Sequence, residues 1–291
     1  MPPFWLSIAV LSVVQGALVA LVGDGRAVGG IAWIERRRSR LWAAVPPLSV
    51  IVFVFVAQAA ERASAQSLTY LALVAVPVLA AVALGWLARG ARPVLVPLTV
   101  ALFAVAWADR SGLAGQSAAL ALSALSCVAL GALFATLTPL RWLALGIVLM
   151  ACADAALVVA ELLQHPNEIL TAAHPAGGLP RLQAAIFGSA AMGYGDLFVA
   201  GIFGGILARG WGSEVGGGWG SDAVADSRAA RALQVRAAVL VASLALLFDL
   251  LFFVVQELPA TVPVALALVL VALVRRRGRE REGVTAPGVV G

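Results

Sequence analysis

The feature that most limits what this chain can fold into is its division into apolar runs of about 16 to 27 residues, separated by short clusters of Arg, Pro, Gly and acids. A helix needs about 20 apolar residues to cross a bilayer core. The runs are continuous and do not alternate with polar side chains, which favours helices over a β-barrel. Composition agrees: 62% of the 291 residues are hydrophobic and 12% charged, and a soluble domain carries about 25% charged residues. The spacing predicts spans at 3–23, 41–60, 68–88, 93–108, 116–138, 142–163, 182–208, 233–256 and 259–274. The expected fold class is therefore all-α, a polytopic membrane helix bundle of about nine transmembrane helices in one integral domain. The last two runs cannot be one helix, which would be about 60 Å long and twice a bilayer. Pro259 and Pro263 divide them, with Glu257 at the turn.

The net charge of +5 does not indicate a nucleic-acid partner. Every basic residue is Arg, and the Arg residues cluster beside the spans. With the N-terminus outside, the inner segments hold Arg26, Arg36, Arg37, Arg38, Arg40, Arg89, Arg92, Arg141, Arg209, Arg228, Arg231 and Arg236. Arg275, Arg276, Arg277, Arg279 and Arg281 join them in a basic tail, 275–291. Only Arg62, Arg110 and Arg181 then fall outside. This segregation predicts an outer N-terminus and a cytoplasmic C-terminus. The tail reads as a stop-transfer anchor at anionic headgroups, not a nucleic-acid arm. Met1-Pro2-Pro3 offers no basic n-region, so the first run is expected to be a retained span. Arg to the exclusion of Lys, with abundant Ala and Gly, points to a GC-rich prokaryote and its plasma membrane. Cys127 and Cys152 read as small packing residues, and 209–232, with Gly216-Gly217-Gly218, as a flexible inner loop.

Ionisable side chains at bilayer depth are costly and mark functional sites. Asp154 sits near the middle of the sixth span and Asp196 near the middle of the seventh. Asp249 lies in the eighth, and Glu161 and Glu257 nearer span ends. Consecutive antiparallel spans meet at the same depth. Small residues four apart, Ser189 and Gly193, Ala191 and Gly195, Gly201 and Gly205, suit the seventh span for close packing. Two carboxyls brought together in a low dielectric share a proton. One then takes a proton from water while its protonated partner polarises a carbonyl, which is aspartyl protease chemistry. The same acids would equally serve a transporter pathway.

The stretch Gly193-Tyr194-Gly195-Asp196 resembles the GxGD signature of intramembrane aspartyl proteases, the presenilin and signal peptide peptidase family. Its continuation Leu197-Phe198-Val199-Ala200-Gly201-Ile202-Phe203 looks like the signal peptide peptidase branch. Asp154 lies one span earlier, where that family has its first aspartate, and Pro259-Ala260-Thr261 stands where the family carries Pro-Ala-Leu. The sequence departs from the pattern twice, with Ala153 in place of Tyr and Thr261 in place of Leu. The resemblance covers about 142–274, leaving 1–141 as a five-helix part without a motif. It implies an intramembrane aspartic endopeptidase with Asp154 and Asp196 as the catalytic pair. Gly193, Tyr194, Gly195, Pro259, Ala260 and Thr261 would shape the site. Pro259 is expected to matter more than the third side chain of its motif. Substrates would be transmembrane helices or remnant signal peptides, unwound to add as a strand near 164–181 or Pro259.

Other intramembrane chemistries fit less well. There is no His-Glu-x-x-His, and the two histidines, His165 and His174, fall in a loop with Glu168. No metal and no cofactor is expected. Prepilin peptidases usually carry Lys two positions after the aspartate, where this chain has Phe198. A proton-coupled transporter or channel using the acids as a relay remains the alternative, beside an inactive homologue that only binds membrane segments. For Asp249, the protease reading expects a place away from the pair, with Ser243 or Gln256 as its partner or facing the inner interface.

Overall fold

The computed structural model describes residues 2–24, 39–49, 51–52, 61–160, 162, 173, 175, 178–210, 223–253 and 259–284. For 61–64, 223–228, 252–253 and 278–284 it describes the backbone alone. The second half of the expected second span lies outside these residues. So do Glu161, His165, Glu168, His174, Gly216-Gly217-Gly218, Gln256 and Glu257.

The described chain is overwhelmingly helical. Helix α1 (Phe4–Leu21) starts directly after Pro3, whose φ of −62° suits the approach to a first turn. Helix α2 (Glu61–Val82) runs on through a π-helical turn, Ala83–Leu87. A 3-10 turn, Pro93–Leu95, leads into α3 (Pro97–Ala108), with proline where the missing N–H costs nothing. Helix α4 (Leu113–Leu137) begins after Gly112, and Asp109, upstream of that cap, accepts the first-turn Gly115 N–H on Oδ2 at 3.2 Å. Pro139 separates it from α5 (Leu140–Val159). A hairpin, β1 (Ala184–Phe187) and β2 (Ala190–Gly193), precedes α6 (Tyr194–Ala208). Helices α7 (Ala223–Asp249) and α8 (Val262–Val284) complete the chain.

Among the described residues, five helical stretches are long and apolar enough to cross a membrane: Phe4–Leu21, Ala65–Leu87, Leu113–Leu137, Leu140–Val159 and Ala229–Asp249. Pro93–Ala108 and Tyr194–Ala208 are shorter apolar helices. Leu71, Val74, Val78 and Val100 are exposed on the outward faces of α2 and α3. An apolar surface of this kind is compatible with an integral membrane protein.

Helix α6 is the centre of the packing. Its residues Val199 to Leu207 are all buried, between α4 on one side and α1 on the other. Glycines let the backbones touch. A Cβ on Gly131 would collide with the Gly201 carbonyl, and one on Gly201 with the Cys127 carbonyl. Gly204 likewise meets Val19 of α1, and Gly16 of α1 meets the Ala238 carbonyl of α7. Cys127 is thus the packing residue expected, whereas Cys152 is exposed on α5.

One element differs from expectation. Residues 182–208 do not form one helix, because 184–193 fold as the hairpin. Gly188, at φ +60°, opens its two-residue loop, a conformation that glycine adopts without strain. Its register pairs Ala184 with Gly193 and Phe187 with Ala190. The small-residue pairs Ser189/Gly193 and Ala191/Gly195 therefore make no helical face. Gly201 and Gly205 do, and α4 packs on it.

Away from the hairpin, Gln234 of α7 gathers the chain. Its Nε2 donates to the carbonyls of Val19 (2.7 Å), Val22 (2.9 Å) and Gly204 (3.3 Å). Arg89 donates to Gln234 Oε1 and to the Ala20 carbonyl.

Candidate active site

Asp196 is the third residue of α6. Its Oδ2 accepts the Gly193 N–H at 3.1 Å, so the carboxyl turns back onto the first, otherwise unsatisfied, turn of its own helix. Glycine at 193 gives the carboxyl room, since a Cβ there would stand 3.0 Å from Oδ2. Gly195 was expected to permit close packing in the same way. It does not need to be glycine for space, because its Cβ would meet only Met150 Cε at an ordinary 3.5 Å. Tyr194 points to α4, where its hydroxyl lies 2.7 Å from Ser126 Oγ. Phe198, one turn on, stands edge-on to Phe134 of α4 with ring centroids 5.4 Å apart.

Asp154 lies in the last turns of α5, five residues before Val159. Both acids thus sit near helix ends, not at mid-helix as the run lengths suggested. The hairpin takes up the seventh run as far as Gly193 and moves the start of α6 to the acid. Helices α5 and α6 pack on each other, and a Cβ on Gly195, beside Asp196, would stand 3.5 Å from Met150, about one turn before Asp154.

The third motif reaches the first acid directly. Thr261 Oγ1 donates to Asp154 Oδ2 at 2.6 Å. Pro259 forms the turn before α8, its carbonyl accepting the Val262 N–H at 3.1 Å. Thr261 stands at the position before the first helical residue, where a threonine ordinarily accepts from its own helix. Here the hydroxyl hydrogen goes to Asp154. The third side chain of the motif therefore touches an acid, a contact that the expected weight on Pro259 did not include.

Asp249 ends α7 and is 6% exposed. Among the described residues its partner is Ser12 and not the expected Ser243, while Gln256 lies outside them. Ser12 Oγ of α1 donates to Asp249 Oδ2 at 2.9 Å and to the Ile8 carbonyl at 3.0 Å, its one hydrogen shared between the two acceptors.

Gln15 was not picked out from the sequence. Its Nε2 donates to the Ala260 carbonyl at 3.2 Å and, at the limit of a hydrogen bond, to the Asp196 carbonyl at 3.5 Å. The signal was present, since Gln15 and Ser12 are polar residues three apart inside an apolar run. Among the described residues no group of three His, Cys, Asp or Glu could hold a metal ion.

Compared with family models, with curated proteins and with solved structures, the chain matches none.

Proposed function

We propose that this chain is an intramembrane aspartyl endopeptidase of the GxGD type, hydrolysing peptide bonds in transmembrane segments or remnant signal peptides. One observation carries the reading. Asp154 and Asp196 sit on helices that pack on each other, and the third motif is tied to both, by the Thr261 hydroxyl on Asp154 and by the Ala260 carbonyl, which shares Gln15 with the Asp196 carbonyl. This proximity of three stretches that resemble one protease family supports the reading.

In this reading one ionised carboxylate takes a proton from water, which attacks the scissile carbonyl. The protonated partner hydrogen-bonds the carbonyl oxygen and gives up its proton as the tetrahedral intermediate forms. The proton taken from water then goes to the leaving amine, and the pair is restored. No metal or cofactor takes part. A substrate helix has to unwind first, and the hairpin directly before Asp196 supplies extended backbone at the site for the unwound strand to pair with. About nine spans, an outer N-terminus, a cytoplasmic C-terminus and a prokaryotic plasma membrane belong to the same proposal, supported by the Arg segregation.

The test is incubation of the purified protein in detergent with a generic transmembrane peptide, read by mass spectrometry. New termini should appear with the wild type and not with Asp154→Ala or Asp196→Ala. Cleavage that survives either substitution rejects the assignment. The second reading, a proton relay, draws on a third acid, the buried Asp249, which Ser12 of α1 hydrogen-bonds. Proton-coupled uptake in liposomes without peptide cleavage would favour it.

A further inference from the structure

We propose that Gln15 of the first helix is a positioning residue of the aspartate pair, holding the Asp196 helix and the Pro259–Thr261 turn in one arrangement. The proposal concerns 1–141, the part in which no motif was found, and it rests on the protease reading for its kinetic consequence.

Helix α1 is apolar apart from Ser7, Ser12 and Gln15, all of them buried. Each ends on a different element of the site. Ser7 Oγ accepts the Ser189 N–H of the hairpin loop at 3.3 Å. Ser12 meets Asp249 at the end of α7. Gln15 reaches the two elements that matter most for chemistry, through the carbonyls of Asp196 and Ala260. Both partners are acceptors, so the amide nitrogen has to face them and the orientation of the side chain follows.

The next residue after Ala260 is Thr261, which holds Asp154. A continuous chain of contacts therefore runs from Asp196 through Gln15, Ala260 and Thr261 to Asp154. It joins the two acids by a route that does not cross the space between them. The Oε1 end of Gln15 is buried and has no partner among the described residues. A side chain serving only to fill space would lose nothing as an apolar group of the same length. What the position needs is the donor end. Gly16, beside it, brings α1 against the Ala238 carbonyl and seats the helix that carries the amide.

The test compares wild type with Gln15→Met, which keeps length and removes the donor, and with Gln15→Glu, which also adds an acid. Gln15→Met should lower kcat by about tenfold to a hundredfold, the cost of a small misplacement of reacting groups, with KM changed less than about twofold. Its melting temperature in detergent should stay within a few degrees of wild type. Gln15→Glu should in addition displace the pH profile of kcat, since a new carboxyl adjoins the pair. Hydrogen exchange, read by mass spectrometry, should speed up over residues 259–265 in Gln15→Met, and also in Gln15→Met combined with Asp196→Asn. Unchanged exchange at 259–265 overturns the proposal. So does a loss of kcat that only follows a fall in melting temperature. Should the wild type cleave no peptide, the protease reading fails by itself, and the exchange result alone decides for or against the clamp.

Discussion

The two flanks of helix α6 are built differently. Toward α4 it presents Gly201 and Gly205, and backbone atoms lie where Cβ atoms would be. Toward α1 it packs as closely at Gly204, against Val19, but near its start this flank also carries a polar link, Gln15 to the Asp196 carbonyl. Gln15 passes that link on to Ala260, in the turn whose Thr261 holds Asp154. The first contact is set by backbone shape and tolerates no added atom. The second adds side-chain hydrogen bonds at the end that carries the acid. A helix anchored by packing along its length can present a carboxyl at its start at a reproducible place.

If that division holds, activity and folding should separate on the two flanks. The largest effect on activity is expected for Asp196→Asn and Asp154→Ala, several orders of magnitude, because one carboxyl cannot act as both acid and base. Expression and melting temperature should be kept. Residual cleavage above about 1% of wild type, measured on a transmembrane peptide, would break the site half of the comparison.

On the other flank, Gly201→Val or Gly131→Val should destabilise by about 1–3 kcal/mol or more through overpacking against a carbonyl. The readout is melting temperature and folded yield in detergent. Retention of both would mean that the helices part easily and the glycine contact is not the anchor. Gly195→Ala is the control, since its Cβ has room beside Met150.

Smaller and more informative is the pair Thr261→Val and Pro259→Ala. Thr261→Val removes the hydroxyl donated to Asp154, a bond to an acid and so worth about 1.5–3 kcal/mol. A fall in kcat of about tenfold or more is expected, with Thr261→Ser recovering much of it. Pro259→Ala should lower activity by loosening the turn before α8. Negligible effects of both would make the Pro-Ala-Thr match a coincidence.

The smallest effect is expected for Asp249→Asn. The amide oxygen of asparagine can still accept from Ser12 Oγ, as Asp249 Oδ2 does. Most activity and the wild-type pH profile should remain in a side-by-side cleavage assay. A variant as inactive as Asp196→Asn, while folded, would bring Asp249 into the mechanism and favour the relay.

Much of this architecture was legible in the sequence, for a physical reason. A run of apolar residues between Arg and Pro clusters has few ways to satisfy its backbone, and α1, α4 and α5 fall close to the predicted runs. The hairpin was hidden because Ala184–Gly193 is as apolar as a helix, and only Gly188 with Ser189 hints at a reversal. The acids and the Pro-Ala-Thr turn stood out by charge, by order along the chain and by resemblance. Ser12 and Gln15 did not, because they are far away in sequence and neutral. What they touch depends on how α1 lies against α6 and α7. Thr261 stood out as a departure from Leu, and only its hydrogen bond explains the hydroxyl.

Helix α8 leaves the Pro259–Thr261 turn and continues without a break through Arg275, Arg276 and Arg277 to Val284. Its 23 residues make a rod of about 34 Å. Such a rod is a lever, with an aspartate's hydroxyl donor just beyond one end and a cluster of guanidinium groups toward the other. Pivoting by about 5° around its midpoint displaces each end by roughly 1.5 Å. Displacements of about 1 Å at reacting groups change rates by about a hundredfold. Whatever holds the arginine end, anionic headgroups included, therefore sets the angle at which Thr261 meets Asp154.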